Sequence, residues 1–168
     1  DDTGFEYAWL EFMGDDYQVS DTVASITRGL DTIQYPTVQA AIEACAPGEE
    51  IILLKSISEP IEVPSDKIIA LNLNNRSLTS KIINNGILQV YNGSIQNFED
   101  TTVINNGELV MGQLSDPIST TSIRIISDVK AIEQNGTFAM YDGYIEGSPA
   151  ISGEINEIAP FSRLQKEK

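Results

Sequence analysis

Few residues in this chain could carry chemistry. The 168 residues include no histidine and a single cysteine, Cys45. That excludes the commonest general base, the commonest transition-metal ligand, an internal disulfide and a thiolate cluster. What remains is a set of tyrosines (Tyr91, Tyr141 and Tyr144), one aspartate, Asp142, and one arginine, Arg124. If Tyr91, Gly112 and Tyr141 share an outward column on successive strands, the two rings stand about 9–10 Å apart over a glycine floor. Aromatic faces at that separation could grip a sugar ring. The plainer reading is that tyrosine is favoured on strand surfaces. Asp142 is the only aspartate in the strand-forming columns and has no acidic neighbour in register, so it lacks the second carboxylate of glycoside chemistry. Asp15 and Asp16 follow Gly14, but the spaced acids, central glycine and terminal glutamate of a calcium loop are missing. Neither a metal nor a cofactor is expected. Cys45, with no histidine to activate it, reads as a small buried hydrophobe.

The tyrosines belong to a phrase that recurs three times. It runs Ile82-Ile83-Asn84-Asn85-Gly86-Ile87-Leu88-Gln89-Val90-Tyr91, then Val103-Ile104-Asn105-Asn106-Gly107-Glu108-Leu109-Val110-Met111, then Ala131-Ile132-Glu133-Gln134-Asn135-Gly136-Thr137-Phe138-Ala139-Met140-Tyr141. Asn85 and Asn106 are 21 residues apart, and Asn106 and Asn135 are 29 apart. A recurring unit of about 20 residues marks a solenoid. An antiparallel sandwich would need mirror-related hairpins, whereas this phrase repeats in one direction. Coils wound in one sense would pile Leu88, Leu109 and Phe138 into one inward row, and Val90, Met111 and Met140 into another. Ile95, Leu114 and Ile145, preceded by Leu78, make a third, and Ile82, Val103 and Ala131 a fourth. Asn85, Asn106 and Asn135 form a turn ladder, with Gly86, Gly107 and Gly136 supplying φ > 0. The longer interval holds an insertion around Ser115 to Thr121, or an additional short rung carrying Ile123-Arg124-Ile125-Ile126. Asn75-Arg76-Ser77, Asn92-Gly93-Ser94 and Asn135-Gly136-Thr137 are formal glycosylation sequons that read as turns.

Around the repeat, composition changes. Residues 1–34 carry eight acids against Arg28 alone and read as an acidic strand or hairpin extension. Within them Phe5, Tyr7, Trp9 and Glu11 alternate with Glu6, Ala8, Leu10 and Phe12, Gly14-Asp15-Asp16 is a turn signal, and Val23 to Thr27 is a second strand. A helix is expected over 36–46, where Val38, Ala41, Ile42 and Cys45 form one apolar stripe, Thr37 is the N-cap and Pro47-Gly48 the stop. It would cover the open first turn of the stack. The solenoid is expected over 35–158, with 159–168 as a tail.

With 25 acidic and 10 basic residues the formal charge is −15. Such a surface repels nucleic acid and anionic lipid. No apolar run approaches the roughly 18 residues of a membrane span. The start at Asp1 reads as a processed form or a piece of a larger protein.

Tyr35-Pro36-Thr37-Val38-Gln39-Ala40-Ala41-Ile42, followed by Pro47-Gly48-Glu49-Glu50-Ile51-Ile52-Leu53-Leu54, resembles the opening of a family of bacterial surface repeats. Leu71-Asn72-Leu73-Asn74-Asn75-Arg76-Ser77-Leu78 and Ile83-Asn84-Asn85-Gly86-Ile87-Leu88 are similar to two of its rungs, with Asn72 in place of the usual Asp and Asn75 in place of Gly. The resemblance spans residues 23–147. It implies an all-β, right-handed parallel β-helix of the pectate-lyase-like kind, on secreted or wall-anchored bacterial proteins. The expected function is a non-catalytic surface module, a stalk, spacer or adhesin-like face, whose partner is a glycan or a host or cell-wall protein. Two alternatives stand beside it: a polysaccharide lyase or glycoside hydrolase, and a phage or appendage fibre segment. Ile123-Arg124-Ile125-Ile126 is similar to the Arg-Ile-Lys element of polygalacturonases, but its lysine and the aspartate pairs are missing.

Overall fold

The computed structural model describes residues 21–113 and 123–154, with the backbone of 157–158 and 163–165. The expected strand over 5–12, the turn at 14–16, Leu114 and the insertion at 115–121 lie outside the described residues. The protein is mostly β, with one short helix among the described residues and two sheets built largely of parallel strands. In order these are β1 (Ala24–Arg28), β2 (Asp31–Tyr35), α1 (Val38–Ala44), β3 (Glu50–Leu53), β4 (Ile61–Val63), β5 (Ile68–Thr79), β6 (Ile82–Asn84), β7 (Ile87–Asn97), β8 (Val103–Asn105) and β9 (Glu108–Met111). Then follow β10 (Ile123–Ser127), β11 (Ile132–Gln134), β12 (Thr137–Met140), β13 (Tyr144–Glu146), β14 (Ile151–Ser152), β15 (Glu157–Ile158) and β16 (Arg163–Gln165).

Each copy of the phrase pairs in parallel with its equivalent in the next. Leu88 pairs with Leu109 and Leu109 with Phe138, while Val90 pairs with Met111 and Met111 with Met140. All six are buried. The same Val90 row begins earlier, at Ile51 and Leu71. A second set of pairings joins the far halves of β5 and β7 to β10, β13 and β16. A third, the five-stranded sheet, joins β4, β6, β8, β11 and β14.

Two rows differ from the sequence expectation. Ile125, not Leu114, pairs with Ile95, and Ile145 pairs with Ile125. Ile123 to Ile126 therefore belongs to the copy opened by β8 and is not an additional rung. In the third set Val103 pairs with Ile132 rather than Ala131. Counting back three residues from each turn asparagine gives Ile82, Val103 and Ile132, so Ile132 and not Ala131 is the equivalent residue of the last copy.

The turn ladder is present. Asn106 donates to Asn85 at 2.9 Å and Asn135 to Asn106 at 2.9 Å, on the exposed side. Beside it runs a second, buried ladder: Asn84 donates to Asn105 at 2.8 Å, and Asn105 to Gln134 at 2.6 Å. Their remaining N–H groups reach the carbonyls of Glu108, Thr137 and Gly136. A buried amide without partners would cost a few kcal/mol, so every link matters.

The ladder glycines are required for a reason other than positive φ. None of Gly86, Gly107 and Gly136 has φ > 0. A Cβ on Gly107 would lie 2.0 Å from the Gly86 carbonyl, and one on Gly136 equally close to the Gly107 carbonyl. Positive φ sits instead at the next corner, carried by Asn74, Asn75 and Asn92, then by Gly112 and Gly143. Asparagine and glycine are the residues that enter that region at least cost.

The helix is Val38–Ala44, shorter than 36–46 because Thr37 is extended and caps it, accepting from the Ala40 N–H at 3.0 Å. Val38, Ala41 and Ile42 face the core, where Cys45 joins them. Side chains distant in sequence close both ends. Glu59 accepts from the Val38 and Gln39 N–H groups, and Arg28 and Lys67 donate to the Ala44 and Glu43 carbonyls. Both pairings suit the helix dipole. Gln39 forms two bonds to the Glu62 backbone, Nε2 to its carbonyl at 2.7 Å and Oε1 from its N–H at 3.0 Å, so it blunts the edge strand β4.

Two contrasts test this account by chemical denaturation. Gly107→Ala, forced against a backbone carbonyl, is expected to lose about 2–3 kcal/mol. Gly29→Ala, in open space at φ +63°, loses only about 1 kcal/mol. Asn105→Ala strips the donors from Gln134 and the Thr137 carbonyl and costs about 2–3 kcal/mol, whereas Asn106→Ala, on the exposed ladder, costs about 0.5 kcal/mol.

Candidate functional site

On the outer side of the first set of pairings, alternation brings Glu50, Ala70, Gln89, Val110 and Ala139 into one column of neighbours. Ile68 and Ile87 flank it on one side, both partly exposed. Tyr91 flanks it on the other. Small side chains between larger ones leave a groove of about 430 Å³ lined by Gly48, Glu50, Ile68, Ala70, Gln89 and Tyr91. Gln89 is fixed by its Nε2, which donates to the Gly112 carbonyl at 2.8 Å.

Tyr91 is held at the groove wall. Only 6% of it is exposed, and its hydroxyl donates to the Glu50 carboxylate. Asn72 donates to the same carboxylate oxygen at 3.2 Å, and Asn92 donates to Asn72 at 3.1 Å. Burial, then the neighbouring Glu50 carboxylate, pushes the Tyr91 hydroxyl well above the usual phenol range. Tyr91 therefore offers little ring surface for stacking.

The three tyrosines expected to form a binding face are distributed as follows. Backbone bonds from Gly112 to the Val90 carbonyl and from Tyr141 to the Met111 carbonyl carry the first ladder on past Tyr91. This sets Tyr91 of β7 in line with Gly112 and Tyr141, the residues just past the ends of β9 and β12. Tyr141 is half-buried. Tyr144 lies in the second set, beside Arg124. The Arg124 guanidinium sits 5.1 Å from the Tyr144 ring centroid, and the Tyr144 hydroxyl donates to Glu146 at 3.2 Å. The set thus splits into a groove wall and a separate Arg–Tyr stack.

Asp142 is buried to 7% exposure, packed so that a Cβ on Gly112 would meet its Cβ at 2.7 Å. Among the described residues no three of Cys, Asp and Glu gather as a metal-holding group. Cys45 is 4% exposed, and burial, then the Glu49 carboxylate, pushes its thiol up, away from the thiolate a nucleophile needs. The sequence reading missed Glu50, the carboxylate at the end of the groove. Its signal was its place, the first residue of a strand whose next residue opens an inward row.

Compared with protein-family models, curated proteins and solved structures, the chain finds no match in any of the three.

The Tyr91–Glu50 contact sets a pH dependence. A phenol whose folded pKa is raised stabilises the fold while protonated. That contribution is whole below the unfolded value near 10 and declines as pH rises beyond it. The denaturation midpoint of the native chain should therefore fall between about pH 9.5 and 11.5 by more than that of Tyr91→Phe. Parallel curves for the two would remove the contact from the account.

Proposed function

We propose that the chain is a right-handed parallel β-helix module of a secreted or surface-exposed bacterial protein. In this reading it is non-catalytic, and acts as a rigid stalk or spacer with an adhesive outer face. One observation carries the reading: three separate sets of parallel pairings advance together, each by one copy of the phrase. A single chain wound in one sense satisfies all three at once. The row through Ile57, Leu78, Ile95, Ile125 and Ile145 then extends about 19 Å along the stack at the ordinary strand spacing. Continuous buried rows and amide ladders resist bending, which suits a spacer.

The groove beside Tyr91 is the adhesive candidate. It is open, long in the direction of the stack and mixed in character, with apolar walls at Ile68 and Ile87 and polar groups at Gln89 and Glu50. Those features fit an extended chain molecule, with a glycan or a wall or matrix protein as the partner. Against the enzymatic reading, Asp142 is buried under a corner and Arg124 is stacked on Tyr144.

A glycan array and immobilised matrix proteins, probed with the native chain and with Gln89→Ala and Ile87→Asp, test the adhesive part. Binding that both substitutions weaken about tenfold supports the groove. Binding that neither changes removes it, and no ligand at all leaves the spacer alone. Release of unsaturated or reducing sugar from a pectin panel, abolished by Asp142→Asn, would replace this reading with the enzymatic one.

A further inference from the structure

The groove bounded by Ile68, Ile87, Gln89 and Tyr91 selects its ligand by what its side chains can still do. Both side-chain donors in it are already engaged. The Tyr91 hydroxyl donates to Glu50, and Gln89 Nε2 donates to the Gly112 carbonyl. Asn72 donates to the same Glu50 oxygen as Tyr91. Among the described residues nothing bonds the other Glu50 oxygen or Gln89 Oε1. The side chains of the groove therefore offer acceptors and aliphatic walls, with Ile68 46% and Ile87 37% exposed. A sugar presents hydroxyls that both donate and accept, and it stacks on aromatic faces. The covered Tyr91 ring gives it no face, and the engaged donors leave its lone pairs unmet.

The groove also carries charge of one sign. Glu50 stands at its β3 end. Glu108 is exposed, pairs with Ile87 and precedes Val110 by two residues, so alternation sets it on the same outer side. Neither carboxylate has a cation on it among the described residues. Glu49, also at the β3 end, is offset by Arg28 at 2.6 Å, and Lys67 is held by the Glu43 and Cys45 carbonyls. Glu50 is in register with Ala70, Gln89 and Val110, so Glu108 lies three strands across from it and two residues along. Together these offsets come to about 16 Å.

We propose that the groove takes an extended basic peptide segment of a partner protein, with one cationic side chain on Glu50 and a second reaching Glu108. This occupant presupposes the adhesive reading of the groove and narrows its partner, from a glycan or a protein, to one class. An extended chain rises about 3.3 Å per residue, so cationic side chains four or five positions apart match that span. At a spacing of four, the residue midway shares their face, and an apolar side chain there meets Ile68 and Ile87. Lysine and arginine are donors without acceptors, the complement of what the groove leaves open. An acidic glycan would set its carboxylates against Glu50 and Glu108, and a second copy of this chain carries −15.

A labelled peptide of serines, with two lysines four positions apart and a valine midway, probes the site by fluorescence anisotropy. Its binding should weaken about tenfold in Glu50→Gln and about threefold in Glu108→Gln, whose acid is exposed. It should stay within about 1.5-fold in Glu99→Gln, which removes one exposed charge in the turn after β7. Far-ultraviolet circular dichroism checks that Glu50→Gln keeps its fold, and Glu108→Gln tests the groove without touching the Tyr91 contact. A version of the peptide with glutamate for lysine should not bind. Equal weakening in all three variants or in none, or binding of the glutamate version, overturns the proposal. So does a neutral glycan that binds in place of the peptide and is lost in Gln89→Ala and Ile87→Asp; that result keeps the adhesive groove and changes its partner. If neither peptide nor glycan binds, the adhesive reading falls, and the proposal with it.

Discussion

Register in this protein is set at one corner, where successive copies approach so closely that no side-chain atom fits between them. The carbonyl of Gly86 occupies the space a Cβ of Gly107 would need, and Gly107 stands in the same relation to Gly136. Immediately inside that corner, Asn84, Asn105 and Gln134 bond to one another where water cannot reach. A slip of one residue would place a side chain where only glycine fits and leave three buried amides unpartnered. Apolar rows alone could not impose this, because Ile, Leu, Val and Met exchange places at modest cost. The polar ladder is specific where the apolar rows are permissive.

The apolar rows were the most legible part of the sequence. Leu88, Leu109 and Phe138, and Val90, Met111 and Met140, follow from aligning the copies on Asn-Gly, and the pairings place them so. Errors arose where the phrase was inexact. Ala131-Ile132 looked like the apolar pair of the other copies, and only the count from Asn135 shows that Ile132 is the equivalent residue. Leu114 looked like the equivalent of Ile95 because nothing in the sequence says that the chain takes the residues after Gly112 to reach Ile125. The buried ladder escaped because the two polar residues before each glycine looked alike, although strand alternation turns one inward and the other out. The glycines were identified correctly as indispensable but for the wrong physical reason: steric approach, not φ, demands them.

The groove was harder to read than the fold. Its wall depends on Tyr91 meeting Glu50, 41 residues away and two strands distant. Periodicity assigns a residue to the inside or the outside of a strand but does not report what bends over it. Tyr91 is outward by alternation and is nonetheless nearly covered, with its hydroxyl on Glu50 and Asn72 beside it in register. The clamps on α1 escaped for the same reason. Thr37 was visible as a local cap, whereas Glu59, Arg28 and Lys67 reach the helix ends from 16 or more positions away, a separation that no helix-end motif in the sequence spans.

The strong negative charge is compatible with parallel sheets because of where the acids of the described strands sit. In parallel pairing each outward side chain has a like-placed neighbour about 4.8 Å away on either side, and like charges so placed repel. In the strand registers of the described residues, no Asp or Glu pairs with another. Glu62 adjoins Ile83, Glu133 lies between Ile104 and Ser152, Glu108 between Ile87 and Thr137, and Glu50 adjoins Ala70. Where acids and bases do meet, at Arg28–Glu49, Lys81–Asp100 and Lys130–Glu133, the pairs are partly exposed and span turns and strand ends. Their contribution to stability is accordingly small. The acids of these strands are thus kept apart from one another along the ladders, where adjacent like charges would oppose pairing. The charge remains at the surface, where it opposes edge-to-edge association between chains.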